Sequence, residues 1–184
     1  MASITEMPVQ KRTEAFVDTL VSLWRRSVEA SHRFLAKGDI ERIEPEAREG
    51  IEHVETLYVA WADADEKTPA GFAGVQDAKL EMLFVDADLR GNGYGSLLLD
   101  RAIDESGVDR LDVNEDNVAA VEFYRAKSFD IESRSDFDDA GRPYGMDGII
   151  SSKTFNKHSK KTNRCSRNIC SFFIGNIRMI IYLM

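Results

Sequence analysis

Residues 80–107 read LEMLFVDADLRGNGYGSLLLDRAIDESG, and the order of signals in this stretch decides the fold. Over 80–85, Leu80, Met82 and Phe84 are expected on one side of a strand and Glu81, Leu83 and Val85 on the other, because side chains alternate along a strand. A glycine cluster follows, Arg90-Gly91-Asn92-Gly93-Tyr94-Gly95. Beyond it Leu97, Leu98, the stem of Arg101 and Ala102 form an apolar helical face. A glycine loop between a strand and a helix exposes main-chain N–H groups at the positive end of the helix dipole, which favours an anion. A pyrophosphate suits several converging amides, and Arg90 adds a positive charge beside them. On its own, the cluster reads first as a tight turn. A Walker loop would need Gly-Lys-Ser/Thr, whereas Gly95 is followed by Ser96 and Leu97. The spacing Gly91-x-Gly93-x-Gly95 also misses the dinucleotide fingerprint.

Working upstream, Phe16, Leu20, Leu23 and Trp24 predict a helix over 9–26. A second is expected over about 44–54, after the break at Gly38, with Pro45 in its first turn. Apolar runs at 57–61 and 70–75, joined by DADEKTP, read as neighbouring antiparallel strands, and 80–85 as a third. Downstream, 109–113 reads as a strand, 117–127 as a helix and 129–134 as a strand before the turn DDAGRPYG. This alternation predicts an α/β fold with a mixed sheet covered by helices.

A length of 184 residues suits one core. No apolar run reaches the roughly 18 residues of a membrane span, and the first residues lack a signal-peptide pattern, so the expectation is no membrane association and a cytoplasmic location. The net charge of −8 conceals an asymmetry: residues 1–150 hold 17 Lys+Arg against all 32 Asp+Glu, and residues 151–184 hold seven Lys+Arg and no acid. The division expected is a 1–150 domain and a basic 151–184 tail that need not belong to its core. The acidic body argues against nucleic acid and could draw in cationic amines, although plain solubility explains it as well. Cys165 and Cys170 both lie in the tail, and the scattered histidines show no metal spacing, so no metal is expected.

Arg90-x-x-Gly93-x-Gly95, preceded by LFVDADL and followed by a leucine-rich helix, resembles the acyl-CoA pyrophosphate loop of GNAT acetyltransferases. Leu111-Asp112-Val113, then Asn117-x-x-Ala120-x-x-Phe123-Tyr124 and Phe129, is similar to that family's second block. The resemblance covers about residues 10–145. Trp24-x-x-Ser27-Val28-x-Ala30-Ser31-His32-x-Phe34-Leu35 is similar to the opening helices of one group of small bacterial members. Two departures stand out: Ser128 occupies a position usually held by glycine, and the segment after Tyr144 does not read as the final strand.

The resemblance implies a GNAT acyl-CoA N-acyltransferase fold, with a mixed, mostly antiparallel sheet flanked by helices. It also implies acetyl-CoA as cosubstrate, an amine acceptor and direct transfer between them. The main chain of Leu83, Phe84 and Val85 would pair with the pantetheine arm. The amides of Gly91, Asn92, Gly93, Tyr94, Gly95 and Ser96 would hold the pyrophosphate beside Arg90, and Asn117 would bond pantetheine or a water. Tyr124 matches the acid that protonates the departing sulfur, with packing as its other reading; Glu81 and His32 are the candidate bases. A homodimer is plausible from the family and the apolar end of the tail. The competing function is an acyl-CoA-binding protein whose altered C-terminus has lost the acceptor site.

Overall fold

The computed structural model describes residues 3–32, 35, 38–138 and 141–152. Its strands are β1 (Ser3–Glu6), β2 (Thr56–Trp61), β3 (Pro69–Gln76), β4 (Lys79–Val85), β5 (Arg110–Asn114), β6 (Phe129–Ser135) and β7 (Met146–Ser151). The helices are α1 (Glu14–Ser31), α2 (Asp39–His53), α3 (Tyr94–Ser106) and α4 (Val118–Ala126). The strands form one sheet in the order β1-β2-β3-β4-β5-β7-β6. Every neighbouring pair is antiparallel except β4–β5, so the sheet is mixed and mostly antiparallel, as expected.

Each face of the sheet has its own core. Val17, Leu20, Leu23 and Trp24 of α1 and Ile43 and Ile51 of α2 pack on Phe72, Met82 and Phe84. On the other face Leu98, Leu99 and Ala102 of α3 and Tyr124 of α4 pack on Leu83, Leu111 and Val113. Burial of each large apolar side chain stabilises the fold by about 1.5–3 kcal/mol.

Several boundaries differ from expectation. The helix expected over 9–26 starts only at Glu14, because Val9–Lys11 form a short 3-10 turn and Thr13 caps α1 by accepting from Phe16 N at 3.3 Å. α2 begins at Asp39, after Gly38 in the left-handed region, so Pro45 lies inside the helix and not in its first turn. Asp39 and Glu41 favour that earlier start through the helix dipole. In α3 the inward face is Leu98, Leu99 and Ala102, whereas Leu97 is 43% exposed.

β4 does not alternate evenly. Val75 pairs with Leu80 and Gly74 with Met82, which leaves Glu81 as the extra residue of a β-bulge. Leu80 therefore joins Leu83 in the core under α3, while Met82 and Phe84 face α1.

The segment after Tyr144 does form the final strand, contrary to the reading of its sequence. β7 inserts between β5 and β6 and is paired on both sides, so it shows burial on both faces and no alternation. A Cβ at Gly148 would lie 2.3 Å from Ser133 Oγ, so that hydroxyl would have to turn away to admit a larger residue. Ser128, where the resemblance calls for glycine, has φ +66° at the end of α4, a conformation that costs an L-residue about 1–2 kcal/mol. The expected basic tail, with its cysteines and apolar end, lies outside the described residues from 153 onward. Among the described residues no helix is long and apolar enough to cross a membrane.

Candidate active site

β4 and β5 diverge at once. Only Lys79–Arg110 and Leu80–Leu111 pair across them, while β4 stays paired to β3 through Val85. The main chain of Leu83, Phe84 and Val85 is thus spared by β5 on that side, as an inserted arm would require.

The glycine loop closes one end of this gap. Asp86, buried at the end of β4, accepts from Arg26 Nη2 at 2.5 Å and from Asp88 N at 3.1 Å. Arg90 Nη2 donates to Ser27 O at 2.8 Å, Ser27 Oγ at 3.0 Å and Ser31 Oγ at 3.3 Å. Arg90 therefore fastens the loop to α1 instead of standing free beside the amides, and its burial lowers its pKa. Asn92 Nδ2 folds back on the loop itself, donating to Leu89 O at 3.0 Å. What faces outward is main chain. Gly93 (φ +85°) caps α3 without any side-chain hydrogen bond, and neither Gly91 nor Gly93 would meet an atom within 4 Å of an added Cβ. Tyr94, Gly95 and Ser96 form the first turn of α3, where main-chain donors lack partners from the helix itself.

Tyr124 is fully buried, and its Oη has no hydrogen-bond partner among the described residues. Phe123 and Phe129 meet its ring edge-on at 5.1 and 6.2 Å. Burial raises the phenol well above its ordinary pKa, so it keeps its proton. Asn117 accepts from Ala120 N at 3.3 Å and caps α4, the helix that carries Tyr124. The capping role is therefore real, and it positions that helix.

The two candidate bases occupy different surroundings. Glu81, on the bulge, lies 3.5 Å from Lys79 Nζ, which in turn is 2.8 Å from Asp112. His32 is buried at the end of α1, with Nδ1 2.8 Å from Ser31 Oγ. Burial, then the charge of Arg90, lowers its pKa to about 3, so the imidazole is neutral. Glu81 joins the β4–β5 group; His32 joins the Ser27–Ser31–Arg90 network that holds the loop.

Sequence reasoning missed other residues. Asn114 at the end of β5 is completely buried, and its Nδ2 has no hydrogen-bond partner among the described residues. A cavity of about 500 Å³ opens between α2 and the 142–144 segment, lined by Asp39, Arg42, Glu46, Arg142 and Tyr144 among others. Tyr144 Oη donates to Asp39, and Arg142 bridges Asp138 at 2.7 Å and Glu46 at 3.3 Å. Burial raises the Glu46 pKa. The only sequence signal for this cavity was DDAGRPY, read as a loop. Among the described residues no group of three or more His, Cys, Asp and Glu is placed to hold a metal ion.

A mixed sheet splayed after one short parallel contact, with a glycine turn and a helix N-terminus at the mouth of the gap, defines an acyl-transferring fold. A family model described as Acetyltransferase (GNAT) family matches residues 18–129, and the chain belongs to that family of enzymes. It is 35% identical over 133 residues to a peptidyl-lysine N-acetyltransferase, YjaB, of Salmonella typhimurium, covering 72% of this chain and 90% of the relative. The Escherichia coli protein of the same name is 35% identical over 129 residues, covering 70% and 86%. The solution structure of apo-form YjaB from Escherichia coli superposes with a TM-score of 0.71 at 31% identity, over 83% of this chain and 98% of that one.

Proposed function

We propose that this acetyltransferase takes its acetyl group from acetyl-CoA and delivers it to a primary amine, foremost a lysine side chain of a peptide or protein. The observation that carries the reading is the buried, protonated and unpartnered hydroxyl of Tyr124, a donor without an acceptor. Native folds seldom leave such a group unused. The open glycine turn and the start of α3, which no side chain caps, fit a diphosphate, and the edge of β4 beyond Leu80 that β5 leaves fits the pantetheine arm. The acidic body and the names of the relatives support a cationic acceptor.

Acetyl-CoA supplies an acyl carbon activated by a good leaving group. The chain's own residues do the rest. Main-chain donors from Gly91 to Ser96 hold the diphosphate, while Leu83, Phe84 and Val85 align the arm. Glu81 takes the proton from the attacking amine. As the N–C bond forms and the C–S bond breaks with its electron pair, Tyr124 Oη gives its proton to sulfur, and the products are an amide and a free thiol. His32 suits the base role poorly, since an imidazole held neutral to about pH 3 binds a proton too weakly. The cavity beside Tyr144 offers a place for the acceptor chain. The alternative is an acyl-CoA-binding protein whose altered C-terminus has lost the acceptor site; the presence of β7, which keeps the sheet whole up to Ser151, favours turnover over it.

Thiol release with a lysine peptide, together with calorimetry of acetyl-CoA, tests the proposal. Tyr124→Phe is expected to lower kcat by about 10²–10⁴-fold with acetyl-CoA affinity nearly unchanged. Binding without thiol release by the wild type would instead favour the non-catalytic reading. Full turnover in the variant would remove Tyr124 from the acid role.

A further inference from the structure

Asn114 ends β5 with 0% of its surface exposed. Its main chain is engaged, with Met146 as register partner and its carbonyl accepting from Asn117 N at 2.9 Å. Its Oδ1 accepts from Asp116 N at 2.9 Å, which fixes the sense of the carboxamide, because the reversed amide would set two donors against each other. Nδ2 is left buried without a hydrogen-bond partner among the described residues. Such a donor in a native fold calls for an explanation.

Its place in the sheet supplies one. Leu111 and Val113 point into the core under α3 and α4, so the pleat sets Asp112 and Asn114 on the other face. Asp112 is tied to Lys79, as is Glu81. The last β4–β5 pair is Leu80–Leu111, so Asn114 stands three residues further along β5, where the gap has opened. Another buried donor without a partner among the described residues, Tyr124 Oη, belongs to the opposite face, in the cluster that contains Leu83 of β4 and Val113 of β5. Two buried donors thus flank one gap from its two faces.

We propose that Asn114 Nδ2 donates to the carbonyl oxygen of the acyl thioester and leaves that oxygen's second lone pair for a donor from the main chain of β4. A carbonyl oxygen has two lone pairs and accepts two such bonds. Negative charge grows on that oxygen as the amine adds, so a donor already in place is worth more there than in the ground state. The carboxamide does not titrate, and its contribution is independent of pH. The inference rests on acetyl-CoA being the acyl donor.

The test uses the full chain, as wild type, Asn114→Asp and Asn114→Ser. Aspartate keeps the shape and the bond to Asp116 N but replaces the donor; serine can keep that bond through Oγ and lacks the Nδ2 group. Calorimetry with CoA and with acetyl-CoA is read beside kcat. Expected are a kcat lower by about 10²–10³-fold, CoA affinity within about 3-fold of wild type, and a preference for acetyl-CoA over CoA reduced by about 5-fold or more, the equivalent of one hydrogen bond. Equal losses for CoA and acetyl-CoA would overturn the proposal, since CoA has no acyl carbonyl. An unchanged preference with unchanged kcat would do the same. Should Asn114→Asp fail to fold, Asn114→Ser decides by these readouts. A wild type that binds neither ligand would instead overturn the cofactor reading on which this rests.

Discussion

At the end of α1 the buried His32 is held neutral by its surroundings. It stands within the motif that runs from Trp24 to Leu35, and its imidazole packs where Arg90 is bound by Ser27 and Ser31. Burial and that guanidinium lower its pKa to about 3 from an ordinary 6.5. The unfolded chain therefore takes up a proton below about pH 6.5 that the folded chain refuses until about pH 3. Stability falls with pH across that window, by about 1.4 kcal/mol per unit from this group. Urea unfolding at about pH 7.5 and about pH 5.5 should show the wild type losing about 1 kcal/mol more than His32→Gln. Equal losses would mean that His32 titrates near its usual pKa.

At the scale of elements, the entry to α1 and the exit from α2 depend on one buried arginine. Arg12 Nη1 donates to Val54 O at 2.7 Å and to Ile51 O and Glu52 O at 3.2 Å, and its Nε donates to Met7 O at 3.0 Å. The last carbonyls of a helix have no partner within it, so this guanidinium serves as the cap of α2 and breaks the chain before α1. Its positive charge also opposes the negative end of the helix dipole. Arg12→Met should cost about 3 kcal/mol in urea unfolding, since charged donors to buried carbonyls would be lost together. A loss under about 1 kcal/mol would show that water replaces the cap.

Across the whole molecule the charge is uneven. Residues 1–150 carry a net charge of −15. A field of that sign raises the local concentration of cationic acceptors and speeds their encounter. For a lysine-rich peptide, KM should rise several-fold between about 0.01 M and about 1 M salt, as the Debye length shrinks from about 30 to about 3 Å, with kcat little changed. A neutral amine should show no such rise. A KM for the peptide that ignores salt would confine recognition to short-range contacts such as those of the cavity at Asp39 and Glu46.

Much of this was legible in the chain itself. The strand, glycine turn and helix of 80–107, and the Asn117–Tyr124 block, are local patterns, because main-chain conformation and side-chain period depend on neighbours in sequence. They determined the family, the α/β fold and the glycine turn that opens a helix. Contacts between distant segments decided the rest. The bulge at Glu81 exists only against β3, β7 hides its strand character by pairing on both sides, and Arg90 turns away from its own loop because Ser27 and Ser31 await it 59 to 63 residues away. Whether Asn114 and Tyr124 keep partners or lose them depends on what the folded chain brings within hydrogen-bond reach, a matter of three-dimensional neighbours that no spacing of residues along the sequence records.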